Sequence, residues 1–286
     1  MRPVARETVA ERIERLELLD PVSERLKGAV DALVPEASPL KEFLSGTWLG
    51  HPLHPPLTDV VVGAWTSAFL LDVVGGERSE HAADLLVAAG IAAAVPTAAS
   101  GLSDWADTRG GDRRVGSVHG LANGVALVLH ALSFRARRRG DRGRGVGLSA
   151  LGYAVATFSA WLGGHLSFGR GIGVDQTTFE RVPEDWTPVA DEAELTEGRL
   201  VGAEADGFGV LLVRDAGRLH ALADRCSHRG CSLSGGTFAR GEVTCPCHGS
   251  TFRLDGSIVR GPATAPQPAL EVRASKGRVE IRRASN

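Results

Sequence analysis

The chain has 286 residues, of which 43% are hydrophobic and 23% charged, and its formal net charge is −2 at neutral pH. This balance provides no basic surface of the kind that nucleic acids require, so we expect no nucleic-acid partner. The averages hide a strong asymmetry, because long apolar stretches occupy the middle of the chain and all four cysteines lie between residues 226 and 247. Neither a single soluble domain nor a disulfide-rich secreted scaffold fits this distribution.

Residues 1–45 form a charged N-terminal arm. Val9, Ile13 and Leu16 recur at helical spacing before Pro21, and a second apolar set with the same spacing follows the proline. Because proline interrupts a helix, the pattern predicts two short amphipathic helices in this arm. We expect them to lie on a membrane surface or on the rest of the protein.

Residues 46–170 contain four apolar windows. The windows are Leu57–Val74, Ala82–Leu102, Val115–Phe134 and Val146–Phe168, and their only charged residues are Asp59, Asp72 and Asp84. A helix needs about 20 mostly apolar residues to cross the hydrocarbon core of a bilayer, and each window is close to that length. Four buried helices of a soluble protein are the alternative, but this chain has too little surrounding structure to bury them. The windows therefore predict an antiparallel four-helix transmembrane bundle in a lipid bilayer.

Small residues are frequent in the apolar windows, which suits close helix packing in lipid. Gly120 and Gly124 lie one turn apart in the third window. This spacing of two small residues predicts that their face of the helix contacts a neighbouring helix.

The composition of the chain changes again after the apolar windows. Residues 171–186 form a linker that is first Gly-rich and then polar. Residues 187–286 contain short alternating runs separated by Gly turns, such as Val210–Arg214 and Arg218–Ala223 on either side of Gly217. These runs are hairpin signals. The fold class is therefore multidomain α + β, a four-helix transmembrane bundle followed by a small all-β domain.

The sharpest motif pairs cysteine with histidine in two short segments. Sixteen residues separate Cys226-Ser-His228 from Cys245-Pro-Cys247-His248, and each segment offers a thiolate and an imidazole. Two cysteines and two histidines could bind one Zn²⁺, but zinc ligand pairs usually have two to four residues between them. A [2Fe–2S] cluster, with two cysteines on one iron and two histidines on the other, fits two separate hairpin loops better.

These segments also carry a family resemblance. CSHRGCSL and CPCHGSTF, followed by Gly261-Pro262-Ala263, closely resemble the cluster loops and the proline loop of Rieske iron–sulfur proteins over roughly residues 187–283. The resemblance implies a Rieske [2Fe–2S] cluster. Its ligands would be Cys226 and Cys245 on the inner iron, and His228 and His248 on the outer, solvent-near iron.

The resemblance also assigns positions around the cluster. It implies cluster-tuning roles for Ser250, Phe252 and Pro262. Phe252 departs from the tyrosine of high-potential members, which removes one hydroxyl donor and predicts a lower reduction potential. In respiratory and photosynthetic Rieske proteins the positions of Cys231 and Cys247 are joined by a disulfide, and the resemblance implies the same bond here. Two small buried thiols are the alternative.

The pattern indicates an electron-transfer component of an oxidoreductase. A Rieske oxygenase needs a second iron held by two histidines and a carboxylate, and no histidine follows His248, so a stand-alone oxygenase is not expected. We interpret the chain as a membrane-anchored one-electron carrier between a membrane donor such as quinol or haem and a partner protein, with scope for coupled proton transfer. Two alternatives stay open: a redox-sensing or structural iron–sulfur binding module, and a quinol oxidoreductase subunit with haem in the bundle.

Five histidines make the membrane half a candidate haem, metal or quinone site: His51, His54, His119, His130 and His165. About residues 46–175 also resemble a family of small four-helix predicted membrane proteins of unknown function. In an antiparallel bundle, all of these histidines except His130 should cluster at the face from which the β domain emerges. A haem b held by two of them is one hypothesis, a non-haem metal or quinone pocket is another, and polar residues satisfied at helix ends are the third.

The orientation of the bundle is nearly balanced on charge. Four crossings place both termini on one side, and the Arg-rich residues 135–144 form a connection on the other side. Basic loops stay cytoplasmic, but the arm carries a similar number of Lys and Arg residues. The implied disulfide favours an oxidising compartment, and Arg137-Arg138-Arg139 is a weak pointer to twin-arginine export. We expect a multi-pass protein of the cell membrane with the β domain on the outer face.

Overall fold

The computed structural model describes residues 7–284, so the ends of the predicted arm and of the predicted β domain, residues 1–6 and 285–286, lie outside the described residues. The chain divides into two compact units. The helical unit contains the chain up to Val34 and Leu53–Ile172, and the β unit contains Pro35–Pro52 and the chain from Gly173 onward. The predicted boundary between arm and bundle lies between residues 45 and 46, whereas in the structure residues 35–52 belong to the β unit.

The α-helices of residues 7–284 are α1 (Val9–Glu14), α2 (Asp20–Leu33), α3 (Pro39–Ser45), α4 (His54–Val74), α5 (Glu80–Ala106), α6 (Gly110–Arg138) and α7 (Arg142–Gly164). A π-helical turn, His165–Gly169, extends α7. The four longest helices, with the π-helical turn added to α7, contain the four apolar windows and are long and apolar enough to cross a membrane. This confirms the predicted bundle helices. Large apolar side chains such as Leu70, Val95 and Leu121 are exposed on them, as expected where lipid is the solvent.

Glycine packing in the bundle differs from the prediction. A Cβ placed on Gly120 or Gly124 would lie within 4 Å of no described atom of another helix, so the described residues make no helix contact at this pair. The close approaches occur at other glycines, where the neighbouring helix inserts a large polar side chain. A Cβ on Gly152 would lie 2.7 Å from the ring of His130, and one on Gly90 would lie 2.2 Å from Trp65. Large rings, more than small-residue stripes, therefore determine where these helices need glycine.

One end of the bundle is closed by a buried ion-pair network, which uses two of the three charges in the apolar windows. The guanidinium of Arg137, which is fully buried, donates to Asp72 over 2.9 Å and to Asp84 over 2.8 Å. Arg142 donates to the same two carboxylates, over 2.9 and 3.1 Å. Arg137 and Arg142 belong to the Arg-rich residues 135–144, predicted as a connection between two bundle helices, but in the structure they are paired with carboxylates near the ends of α4 and α5.

The N-terminal arm packs on the other end of the helical unit. α2 is tied to the start of α6 by Arg114, which donates two hydrogen bonds of 2.7 and 2.6 Å to Asp20. Glu14 of α1 lies 2.8 Å from Nε2 of His165. The arm therefore contacts the rest of the helical unit, which was one of its two predicted locations.

The strands of the β unit are β1 (Thr187–Asp191), β2 (Val201–Ala205), β3 (Phe208–Asp215), β4 (Arg218–Ala223), β5 (Thr237–Ala239), β6 (Glu242–Thr244), β7 (Thr251–Arg253), β8 (Ile258–Arg260), β9 (Ala269–Ser275) and β10 (Arg278–Arg283). They form two antiparallel sheets, with strand orders β1-β10-β9-β4-β3-β2 and β5-β6-β7-β8. The edge strands β1 and β2 also contact each other, so the larger sheet is nearly closed. The predicted all-β domain is confirmed.

Strand β3 is buried on both faces and positions the site. Val210 and Leu212 face the core of the larger sheet, whereas Leu211 and Val213 face a second core that contains Cys226, Cys245 and Phe252. Because successive side chains of a strand point to opposite faces, one strand connects the two cores. Cys226 and Cys245 therefore share a buried core with one face of β3.

Candidate functional site

Two loops with the same backbone pattern form the candidate metal centre. The first follows β4, and the second connects β6 to β7. In each loop a cysteine N–H donates to the carbonyl five residues later, Cys226 to Cys231 and Cys245 to Ser250, both over 2.8 Å. In each loop a glycine four residues after the cysteine donates back to the cysteine carbonyl over 2.8 and 3.2 Å.

The glycines of the two loops are required by the backbone. Gly230 and Gly249 have φ values of 71° and 74°, in the left-handed region that side chains with a Cβ rarely adopt. The Gly after each Cys-x-His or Cys-x-Cys-His segment therefore completes a tight turn. The turn directs the backbone N–H groups between the cysteine and the glycine back at the cysteine sulfur.

Each of the two cysteine sulfurs accepts backbone hydrogen bonds from the residues two and three positions later. Sγ of Cys226 accepts from the N–H groups of His228 and Arg229, and Sγ of Cys245 accepts from those of Cys247 and His248. N–H groups directed at sulfur stabilise a thiolate. The two loops therefore present two sites with the same geometry for a thiolate ligand.

The two thiols face each other in the core. Both are free and buried, and they share a hydrogen bond. This hydrogen bond, assisted by burial, raises the pKa of Cys226, whereas it lowers the pKa of Cys245 to about 6. Two buried thiols that face each other are placed to serve together as thiolate ligands of one metal centre.

The two imidazoles also lie together. The rings of His228 and His248 are perpendicular, with centroids 5.1 Å apart. Removal from water, followed by the positive charges of His248, Arg229 and Lys41, holds the pKa of His228 well below its ordinary value. A neutral imidazole is the form that binds a metal. The donors of the two loops, two thiols and two imidazoles, match in chemistry the ligand set of a Rieske [2Fe–2S] cluster.

The remaining two cysteines are joined to each other. Cys231 and Cys247 form a disulfide with an S–S distance of 2.01 Å and a Cα–Cα distance of 6.5 Å. This confirms the implied disulfide and excludes the alternative of two buried thiols. The sulfurs of Cys231, Cys245 and Cys247 lie within 4.8 Å of one another, but two of them belong to the disulfide and cannot act as thiolate ligands.

The positions assigned to cluster tuning surround the second loop. Ser250 is fully buried, and its hydroxyl accepts the N–H of Ala263 over 3.0 Å, which leaves its hydrogen for a further acceptor. Pro262, in a cis peptide bond with Gly261, lies buried beside Ala263 in the proline loop. Phe252 fills the core between the sheets and has no exposed surface.

Gln267 is a site residue that the sequence analysis missed. Its side-chain NH₂ donates to the carbonyls of Ala223 and Arg225, each over 2.7 Å, and its side-chain oxygen accepts the N–H of Ser227 over 3.0 Å. These three bonds fix the backbone on both sides of Cys226. In the sequence, Gln267 stands out only because it lies between two prolines, Pro266 and Pro268. This setting does not identify Ser227, 40 positions earlier, as its partner.

Residues 35–52 and the predicted linker also contact the loops of the β unit. Thr47 donates from its hydroxyl to the carbonyl of Ala263 over 3.1 Å. A Cβ on Gly261 would lie 2.0 Å from the same hydroxyl, so this approach requires glycine. In the predicted linker, the N–H of Gln176 donates to the carbonyl of Ser227 over 3.0 Å. Both segments support the cysteine loops.

The structure brings together only some of the membrane histidines. The rings of His54 and His119 meet edge to face, with centroids 6.4 Å apart. Nδ1 of His54 donates to the carbonyl of Thr97 over 3.0 Å, and Nδ1 of His119 donates to that of Ser159 over 2.8 Å, because a carbonyl can only accept. Both rings therefore carry the lone pair on Nε2, and Nε2 of His119 accepts the side-chain NH₂ of Asn123 over 3.1 Å.

The other three candidate histidines have different surroundings. The ring of His130 is stacked on Trp65 with centroids 3.8 Å apart, inside the bundle. His165 contacts Glu14 of the arm, and His51 belongs to the β unit, where its Nδ1 lies 2.9 Å from the carbonyl of Pro52. Four histidines were predicted to cluster: His51, His54, His119 and His165. Within the helical unit, the described contacts join His54 with His119, whereas His165 contacts Glu14.

The two halves of the chain match two known families. Residues 185–273 match the Rieske [2Fe-2S] domain, and residues 50–176 match a family described as predicted membrane protein (DUF2231). Both resemblances found in the sequence are confirmed. The chain thus carries a DUF2231 membrane region followed by a Rieske [2Fe-2S] domain.

Individual relatives match about a third of the chain. It is 35% identical over 96 residues to chlorophyllide a oxygenase of Chlamydomonas reinhardtii, covering 33% of this chain and 15% of that protein. It is 32% identical over 106 residues to cytochrome b6-f complex iron-sulfur subunit 1 of Synechocystis sp., covering 36% and 58%. The ferredoxin of carbazole 1,9a-dioxygenase from Nocardioides aromaticivorans matches with 26% identity and a TM-score of 0.33, covering 35% of this chain and all of that one. In both curated relatives, the matched region covers less than two thirds of the relative's own length.

Proposed function

We propose that this protein is a membrane-anchored one-electron carrier whose β unit holds a Rieske [2Fe–2S] cluster. The ligands would be Cys226 and Cys245 on one iron and His228 and His248 on the other. The observation that carries the proposal is the repeated loop, in which the same hydrogen bonds direct backbone N–H groups at two buried, facing thiols. The matches to cytochrome b6-f iron–sulfur subunits support electron transfer as the activity.

The residues of the chain set the properties of the site. A bound [2Fe–2S] cluster would supply reversible one-electron chemistry. The N–H donors to sulfur and the Ser250 hydroxyl stabilise negative charge there, which favours the reduced state. Two neutral imidazoles in place of two thiolates also make the ligand set less negative, which favours the reduced state as well. The imidazole nitrogens of His228 and His248 that do not face a metal could hold a proton, so that the protein can couple electron and proton transfer.

The assignment of ligands is tested by matched variants of the full-length protein. Cys226→Ser and Cys247→Ser each remove one sulfur from the same small region. We expect Cys226→Ser to abolish the visible circular dichroism of the cluster and most of the bound iron, because it removes a ligand. Cys247→Ser should keep both when assembled under reducing conditions. Equal loss of iron in both variants would contradict the assignment.

We further propose that the bundle receives electrons from a quinol, with His54 as the binding residue and His119 packed beside it. Main-chain carbonyls fix the proton of each ring on Nδ1. Nε2 of His119 already accepts the side-chain NH₂ of Asn123 over 3.1 Å, whereas Nε2 of His54 can accept from a quinol hydroxyl. We do not propose haem b, because the ring of His130, one of the candidate ligands, is stacked on Trp65. His54→Asn should slow reduction of the cluster by a short-chain quinol by about tenfold, the equivalent of one hydrogen bond, and leave reduction by dithionite unchanged. An unchanged quinol rate would refute this part.

The orientation of the β unit stays a proposal as well. A disulfide between Cys231 and Cys247 suits an oxidising compartment and supports the outer face. A cysteine placed at the C-terminus should react with a membrane-impermeant maleimide in intact cells. Labelling only after lysis would place the domain in the cytoplasm.

A further inference from the structure

An apolar patch lies on the surface of the β unit, before the first bundle helix. Leu40 and Phe43 lie one turn apart on the same face of α3, and Trp48 and Leu49 follow in the short helical turn Thr47–Leu49. All four side chains are exposed, Phe43 by 55% and Trp48 by 60%. Single exposed apolar side chains are common, but a group of them marks a surface that binds protein or membrane. We call these four residues the aromatic patch.

The two rings of the aromatic patch form one unit. Phe43 and Trp48 stack with centroids 5.8 Å apart and an angle of 10° between their planes. The indole N–H of Trp48 donates to the main-chain carbonyl of Phe43 over 3.1 Å. Because the only polar group of the indole already has a partner, the ring can leave water without an unsatisfied donor. The patch therefore suits an environment in which water is scarce.

The chain around the aromatic patch leads directly into the membrane. Residues 43–58 contain no Asp, Glu, Lys or Arg, and this uncharged run continues into the first apolar window. The first spanning helix, α4, begins at His54, five residues after Leu49. Five residues of extended chain span at most about 17 Å, so the patch cannot be far from the end of a helix that starts at the membrane surface. Tryptophan is enriched at this boundary between water and lipid.

The same segment is hydrogen-bonded to the loops of the β unit. Thr47 precedes Trp48, and its hydroxyl donates to the carbonyl of Ala263 in the proline loop over 3.1 Å. The N–H of Ala263 donates to the hydroxyl of Ser250 in the second cysteine loop over 3.0 Å. Whatever holds the aromatic patch in place therefore also holds the second cysteine loop.

We infer that the aromatic patch inserts into the interfacial region of the lipid bilayer and docks the β unit on the membrane surface. The partner is the lipid itself, bound through apolar contact near the headgroups. Docking keeps the cysteine loops close to the membrane, because the β unit is then held by more than its chain connections to the bundle. The inference uses the membrane-spanning helices but not the metal centre, so it stands apart from the proposed electron transfer.

The test is fluorine NMR of the full-length protein in phosphatidylcholine nanodiscs, with every tryptophan replaced by fluorotryptophan and no reductant present. Trp48→Phe, Trp161→Phe and Trp186→Phe assign the three resonances that are compared. Trp161 is exposed on α7 and is the reference inside the lipid. Trp186 of the β unit, with Arg273 and Arg282 over its ring, is the matched reference outside it.

Two paramagnetic agents distinguish lipid from water. Lipids with a doxyl spin label near the headgroup end of the acyl chain broaden groups at the interface, and a soluble gadolinium chelate broadens groups in water. We expect the doxyl lipid to abolish the resonances of Trp48 and Trp161 and to spare that of Trp186. The gadolinium chelate should weaken the resonance of Trp186 more than that of Trp48.

Three outcomes would overturn the inference. Broadening of Trp48 by the gadolinium chelate alone would place the aromatic patch in water. Protection of Trp48 from both agents would mean that protein, such as a second copy of the chain, covers the patch. A Trp161 resonance that the doxyl lipid also spares would refute the membrane-spanning bundle and this inference with it. The proposed electron transfer is tested by other experiments, so its failure is recognised separately.

Discussion

The disulfide provides the sharpest test of how the two loops are held together. Cys231 and Cys247 are 16 residues apart, and a cross-link that closes a loop of this size stabilises the folded state by about 3 kcal/mol in the chain-entropy model. The proposed ligands Cys226 and Cys245 would close nearly the same loop through the cluster. Two cross-links between the same two loops are not additive, because the second removes little further freedom from the unfolded chain.

We therefore predict that the disulfide matters much more without the cluster than with it. In the cluster-free protein, the double variant Cys231→Ser/Cys247→Ser should lower the free energy of opening of β6 and β7 by about 3 kcal/mol. In the loaded protein the loss should be below about 1 kcal/mol.

The assay is native-state hydrogen exchange of the full-length protein in detergent, read by mass spectrometry on peptides that cover β6 and β7. A loss of about 3 kcal/mol corresponds to roughly 100-fold faster exchange of the slowest amides. Peptides from β1 and β10, which lie in the other sheet, are the internal reference. Equal losses with and without the cluster would refute the loop-closure reasoning and assign the effect to local packing.

Three further predictions concern contacts outside the metal centre. Asp72→Asn should destabilise the helical unit by about 3–5 kcal/mol in detergent unfolding, because it leaves the buried guanidinium of Arg137 without a full counter-charge, and a loss below 1 kcal/mol would contradict this. Gln267→Leu, which leaves one N–H and two carbonyls of the first loop unsatisfied, should cost about 2–4 kcal/mol of stability in the β unit, measured by hydrogen exchange beside Cys226. Hydrogen bonding to Arg114 lowers the pKa of Asp20. The contact therefore stabilises the folded arm fully at pH values above the ordinary pKa of a carboxyl group. This stabilisation is lost as the pH falls through the lowered pKa of Asp20. Asp20→Asn should therefore speed proteolysis of α2 at neutral pH but not in acid, and a difference that persists in acid would refute the link to this carboxylate.

The parts of the fold that depend on local composition could be predicted from the sequence. The apolar windows predicted the four bundle helices, because a stretch of about 20 apolar residues is the length that a membrane-spanning helix requires. The Gly turns predicted the antiparallel sheet, and the resemblance to Rieske proteins implied the disulfide. In each case the signal lies within a few adjacent residues or in a specific motif.

Contacts between distant segments could not be predicted. Thr47 donates to Ala263 across 216 positions, so the assignment of residues 35–52 to the β unit depends on tertiary packing alone. In the sequence, Arg137 is one of several arginines in a connection and Asp72 is an isolated charge in an apolar window. Their pairing in the structure could not be predicted, because nothing in either segment identifies the other as its partner. Gly120 and Gly124 had the spacing for helix contact, but the glycines that the bundle needs are those opposite His130 and Trp65.

The central claim is that two cysteines and two histidines hold a [2Fe–2S] cluster. Electron paramagnetic resonance of the reduced full-length protein, with histidine labelled by ¹⁵N, tests it most directly. The account predicts a signal after one-electron reduction that is coupled to two histidine nitrogens, together with two irons per chain, and loss of one coupled nitrogen when either His228 or His248 is replaced. A protein that binds zinc and gives no signal on reduction, or a signal without histidine coupling, would contradict the account.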